Sequence, residues 1–325
     1  MICSRTWLKM LLAATTVLCL QACKPTSLDV EQIVVTEPVA TEPVVIEATS
    51  TKVETVQPVS TPPLPEIVPV TLLDTETHIL YMTGTTRAFK IFVALPPGYA
   101  DSGKTYPVLY ALDANGQIGT VTETSRDLAG LQEIPELIVV GIGYPTDIKT
   151  KILDTRILDF TPTTVISTDP GTYSFPMSGG ARRFLDFVRE ELMPFVRSNY
   201  RVDPEDATIT GHSAGGLFVV YTLFEQPDTF DRYIAGSPAL WWDRGIMFAY
   251  ENDYAANHDD LPAHVFMAAG SLESTSEVIE MDQIVQDRGY PNLHLTTHIF
   301  EDETHMSVLP ATISRGLRVV FEGMP

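Results

Sequence analysis

The spacing of apolar and polar positions changes period several times along this chain, and each change marks an element. Thr71 to Tyr81 and Phe89 to Leu95 alternate as half-buried strands do, and Pro96-Pro97-Gly98-Tyr99 stops the second. Tyr106 to Leu112 and Leu137 to Gly143 are continuous apolar runs of strand length, as expected of strands covered on both faces. A helix is expected over about 118–131. Ala181 to Tyr200 sets Phe184, Phe187, Val188, Leu192, Phe195 and Val196 on one helical face, with a kink near Pro194. Beyond it the pattern predicts strand 207–210, helix 214–225, strand 232–236, strand 263–269, helix 277–287, strand 293–300 and helix 309–322. Residues 147–178 are rich in Thr and Pro, show neither period, and read as a long irregular stretch forming a pocket rim. Two antiparallel strands followed by alternating strands and helices predict an α/β fold: a mostly parallel central sheet with helices on both faces. Ligands bind such sheets beyond the carboxyl ends of their strands.

One of those strand ends carries a candidate nucleophile. Ala207-Thr208-Ile209-Thr210 runs into Gly211-His212-Ser213-Ala214-Gly215 and then into the apolar helix pattern from Leu217. Strand, sharp turn and helix are the setting in which Gly-x-Ser-x-Gly holds a serine in a strained, exposed turn. The glycines fit where neighbouring backbones crowd the turn. A free serine hydroxyl is a poor nucleophile, so the motif needs a base and an acid elsewhere.

The order of such triads in a hydrolase sheet is Ser, acid, His. His264, His294 and His298 fall inside predicted strands, and His258 lies in a polar loop away from any strand end. His305 follows the last strand in Glu301-Asp302-Glu303-Thr304-His305, where a base can swing over the elbow. Glu273 is the first carboxylate after strand 263–269, with Glu277 and Asp243 in reserve. It would hold the imidazole in one tautomer and stabilise the imidazolium. An oxyanion forming at Ser213 needs aimed backbone N–H groups, expected at Ala214 and in Ala114-Asn115-Gly116, with Asn115 as the second donor. His294 and His298 share a strand face, but no third ligand is in view, so no metal site is expected.

Residues 1–67 have a different character. Arg5 and Lys9 precede an apolar run from Met10 to Leu20, too short to span a bilayer comfortably. The run ends in Leu20-Gln21-Ala22-Cys23, which resembles a bacterial lipobox. That resemblance implies a signal over 1–22, a lipidated Cys23, and a protein exported and anchored to a membrane by its acyl chains. Residues 23–67 are dominated by Pro, Thr, Glu and Val, repeat Thr-Glu-Pro-Val at 36–39 and 41–44, and read as a disordered linker. At about 3.1 Å per residue such a tether reaches on the order of 100 Å. The catalytic domain is expected over 68–325.

The chain has 3 cysteines, Cys3, Cys19 and Cys23, so the expected domain has none and needs no disulfide or thiolate chemistry. With 42 acidic and 21 basic residues the formal charge is −21, which argues against nucleic acid as a partner.

Taken with these motifs, Tyr110-Ala111-Leu112-Asp113-Ala114-Asn115-Gly116, Tyr200-Arg201-Val202-Asp203-Pro204 and Ser237-Pro238-Ala239-Leu240-Trp241-Trp242-Asp243 resemble the putative esterase family of α/β-hydrolases. Gly270-Ser271-Leu272-Glu273 and Thr304-His305-Met306-Ser307 complete the likeness, which covers about residues 70–323. The family includes esterase D, feruloyl esterases, mycolyltransferases and siderophore esterases, and the Trp-Trp block is most similar to the siderophore branch. The resemblance implies a cofactor-free serine esterase acting on a small-molecule ester, with Trp241 and Trp242 lining its pocket. Core packing is the other role open to the two tryptophans. Arg156 is open to binding a substrate oxyanion or carboxylate, or to a structural ion pair. An acyltransferase, a peptidase and a non-catalytic binding protein on the same fold stay open as alternatives.

Overall fold

The computed structural model describes residues 70–167 and 173–324. The expected signal, Cys23 and the whole of the expected linker lie outside the described residues, as do residues 168–172 of the expected irregular stretch.

Eight strands form one sheet in the order β1-β2-β4-β3-β5-β6-β7-β8. β1 (Thr75–Tyr81) and β2 (Ala88–Ala94) pair antiparallel, and β2 pairs antiparallel with β4 (Ile138–Gly143). β3 (Tyr106–Ala111), β5 (Val202–His212), β6 (Arg232–Gly236), β7 (Ala263–Gly270) and β8 (Leu293–Phe300) run parallel to β4. The expected mostly parallel sheet is present. Its strands β4 and β6 are buried at every position; β4 is an unbroken apolar run, and β6 starts at Arg232, which is buried in an ion pair with Asp206.

The helices cover both faces. They are α1 (Tyr99–Ser102), α2 (Ala114–Gly130), α3 (Lys149–Phe160), α4 (Ala181–Phe187), α5 (Met193–Asn199), α6 (Ala214–Glu225), α7 (Ile246–Asn257), α8 (Ser276–Arg288) and α9 (Leu309–Val320). One core packs α4, α5 and α6 residues such as Phe184, Val196 and Phe218 against the sheet; the other packs α2 and α9 through Val121 and Leu317. α6 is buried along nearly its whole length, which explains its lack of a polar face.

Three segments depart from the sequence pattern. The stretch expected to be irregular contains α3, clamped by two ion pairs rather than by a broad apolar face. Arg156 binds Asp113, and Arg87 binds the fully buried Asp159, which also accepts from the Tyr144 hydroxyl at 3.1 Å. α7 occupies residues to which the pattern gave no element. The expected helix over 181–200 is divided by a π-helical turn, Val188–Leu192, immediately before the α5 segment that carries Pro194 at its start. Proline has no N–H to donate, and the wider turn accommodates the loss.

Candidate active site

β5 ends at His212 and α6 begins at Ala214, leaving Ser213 alone in the turn with φ 61° and ψ −117°. Positive φ is strained for a residue with a side chain, and the surroundings hold it there. The Ser213 N–H donates to Gly236 O (2.9 Å), and its carbonyl accepts from Leu217 N (2.9 Å) and Ala239 N (3.1 Å). A Cβ on Gly211 would stand 2.5 Å from Gly215 O, and one on Gly216 would stand 2.7 Å from Gly236 O. Only glycine lets the strand, turn and helix approach this closely.

His305 lies on the loop after β8. That loop is tied to the β7–α8 turn by Ser271 N–H to Phe300 O (2.8 Å), Leu272 N–H to Glu303 O (3.0 Å) and Asp302 N–H to Ser271 Oγ (2.9 Å). His305 Nδ1 is 2.6 Å from Glu273 Oε2. An ionised carboxylate only accepts, so Nδ1 carries the proton and Nε2 is left as the base. Glu273 Oε1 accepts from Ser237 Oγ (2.6 Å) and Gly270 N–H (2.8 Å). Burial pushes the Glu273 carboxyl up. The Ser237 hydroxyl, the Gly270 N–H and His305 together outweigh burial and hold it below its ordinary value.

Ser213 and His305 line one cavity of about 630 Å³ with Asn115, Arg156, Ile152 and Met306. Asn115 stands in the first turn of α2, where backbone N–H groups have no intrahelical partner. Neither its N–H nor that of Ala214 bonds another backbone group among the described residues. The Asn115 side chain fixes the β4–α3 loop, donating to Tyr144 O (2.9 Å) and accepting from Tyr144 N–H (2.6 Å).

The structure therefore brings Ser213, His305, Glu273, Ala214 and Asn115 to the carboxyl end of the sheet. The expected pocket role of the tryptophans is corrected: neither lines this cavity. Trp242 is 2% exposed, packed on Phe175 with its indole N–H on Thr163, and Trp241 lies half exposed against Tyr173. Arg156 does line the cavity, but it takes the structural role. Nε and Nη2 each bond Asp113 at 2.8 Å, and Nη2 also reaches His212 O at 3.2 Å. His294 stacks on His264 with ring centroids 4.5 Å apart, while His298 packs on Phe300. No group of three or more His, Cys, Asp or Glu among the described residues is placed to hold a metal.

Two residues of the site escaped the sequence reading. Ser237 anchors Glu273; it stood in the Ser-Pro-x-Leu-Trp-Trp block, but nothing local to it signals a carboxylate partner. His212 packs its ring 4.8 Å from that of His305, and neither of its nitrogens has a hydrogen-bond partner. Burial pushes its pKa down to about 4, and the neighbouring His305 adds to the effect, so it stays neutral beside the candidate base.

An elbow serine at the end of a mostly parallel sheet, sharing one cavity with a histidine on a later strand-end loop, defines an α/β-hydrolase. The chain matches the putative esterase family over residues 83–274, and it belongs to that family. It is 32% identical over 265 residues to the ferri-bacillibactin esterase BesA of Bacillus subtilis, covering 76% of this chain and 90% of that one. It is 30% identical over 249 residues to the siderophore triacetylfusarinine C esterase of Aspergillus fumigatus, covering 67% of this chain and 82% of that one. The crystal structure of the BES protein from Bacillus cereus superposes with a TM-score of 0.69 at 29% identity, covering 79% of this chain and 99% of that one. These relationships identify an ester-hydrolysing enzyme.

Proposed function

We propose that the protein is a serine esterase that works through an acyl-enzyme and acts on a siderophore-type ester. His305 Nε2 takes the Ser213 hydroxyl proton as Oγ attacks the ester carbonyl carbon. The tetrahedral oxyanion is held by the N–H groups of Ala214 and Asn115. Collapse breaks the ester C–O bond, and His305 returns its proton to the departing alcohol. Water then attacks the acyl carbon, giving its proton to His305, and the acid leaves as Ser213 recovers its hydrogen. Glu273 keeps the imidazole oriented and stabilises its charge throughout. The scheme uses no metal or organic cofactor.

The observation that carries this reading is the 2.6 Å bond from Glu273 to His305 Nδ1, with His305 and Ser213 in one cavity. The siderophore assignment is supported by the substrates named for the relatives. In an assay with p-nitrophenyl acetate, Ser213→Ala is expected to lower turnover by up to about 10⁶-fold while leaving the circular dichroism spectrum intact. Turnover retained in that variant would refute the mechanism. Export and anchoring through a lipidated Cys23 are part of the proposal; cells fed labelled palmitate should mark the wild-type chain and not Cys23→Ser.

A further inference from the structure

Two large apolar side chains that line the cavity are left exposed, and they come from different elements. Leu153, on α3, is 53% exposed, and Met306, next to the candidate base on the loop after β8, is 64% exposed. Single exposed apolar residues are ordinary on a protein surface, but two that converge on one concave site mark a binding surface. Along α3, Lys149, Ile152, Leu153 and Arg156 follow the i, i+3, i+4, i+7 spacing and form one stripe, with Ile152 half-buried against the core. Met306 is the one apolar residue in Glu301-Asp302-Glu303-Thr304-His305-Met306-Ser307. Its thioether side chain is flexible and polarizable, suited to irregular apolar groups. Several polar side chains of the same lining already have partners. Arg156 and Asp113 bond each other, and the Asn115 carboxamide bonds the Tyr144 backbone. Lys149 and Asp147 are exposed to water. What the lining offers a ligand that water does not satisfy is therefore the apolar surface of Ile152, Leu153 and Met306.

We infer that Leu153 and Met306 grip an apolar acyl group, so that the site selects esters with an extended aliphatic or aromatic acyl portion over acetate-sized ones. The acyl group is the part of the substrate bound at Ser213 in both half-reactions, so apolar walls beside the nucleophile serve it in both. Among siderophore-type esters this favours those whose acyl units bear apolar side groups. The inference rests on the serine-esterase reading and narrows its substrate.

The test measures kcat/KM of the full chain on 4-nitrophenyl acetate, butyrate and hexanoate, each corrected for the ester's own reactivity with hydroxide. The hexanoate-to-acetate ratio is expected to be about tenfold or more. Leu153→Ser and Met306→Ser should each lower that ratio about threefold or more. The ratio is taken within one preparation, so it does not depend on how much of a variant is folded. Ile279→Ser removes an exposed apolar side chain from α8, outside the cavity lining, and should leave the ratio at its wild-type value. A wild-type ratio near one would overturn the inference, as would a ratio that neither cavity variant moves or that Ile279→Ser moves equally. Rates that rise with the alcohol chain of alkyl acetates and not with the acyl chain would overturn the assignment to the acyl side. Failure of the wild-type chain to hydrolyse any of these esters would instead overturn the catalytic reading beneath it.

Discussion

Glu273 is held by more than its histidine. Ser237 Oγ and the Gly270 N–H fix one carboxylate oxygen, leaving the other for His305 Nδ1. A carboxylate fixed in this way is kept ionised and aimed, which is what an imidazole acquiring positive charge requires. Glu273→Gln keeps the shape and removes the charge. It is expected to lower kcat by up to about 10⁴-fold, with thermal stability little changed, in steady-state assays beside melting curves. A loss below tenfold would leave Ser213 and His305 working without the carboxylate. The sequence already pointed to Ser213, Glu273 and His305, because each lies where a strand gives way to a loop. Ser237 and His212 were not legible as site residues. Their roles depend on which side chains the sheet brings beside them, and neither partner is near in sequence.

At the scale of elements, α3 builds one wall of the cavity through Lys149, Ile152, Leu153 and Arg156, residues at helical spacing. The helix was unreadable in the sequence for a physical reason. Lys149-Thr150-Lys151-Ile152-Leu153-Asp154 is mostly polar, and the clamps come from Asp113 and Arg87, distant in the chain. α6 and β6 were legible because burial along a whole element writes itself into the local pattern, and β8 because its first half alternates between half-buried and exposed positions; the bounds of all three match the pattern. Arg156→Ala removes one clamp and leaves the Asp113 carboxylate, 17% exposed, without its cation. Unfolding in urea should show a loss of about 3 kcal/mol, accompanied by weaker substrate binding as the wall loosens. A variant as stable as the wild type would show that the ion pair does not hold α3.

For the whole molecule, the sheet gathers residues from four loops at the carboxyl ends of β3, β5, β7 and β8, and its two covered faces keep them in register. This arrangement ties fold stability to pH. His212 is neutral in the fold with a pKa of about 4 against an ordinary 6.5. Below pH 6.5 the unfolded chain binds a proton that the folded chain refuses, so stability falls as pH drops toward 4. The loss is expected to reach about 3 kcal/mol, read as a falling denaturation midpoint. Glu273 adds to it in the same direction below its ordinary 4.5. His212→Phe should flatten the slope between pH 6.5 and 4; an unchanged slope would place the titrating group elsewhere. The central claim, that Ser213 becomes acylated, is tested most directly by reacting the protein with a fluorophosphonate and locating the adduct by peptide mass spectrometry. The account predicts one adduct, on Ser213, formed rapidly by the wild type and only slowly in Glu273→Gln. An adduct on another residue, or none in a protein that hydrolyses esters, would contradict it.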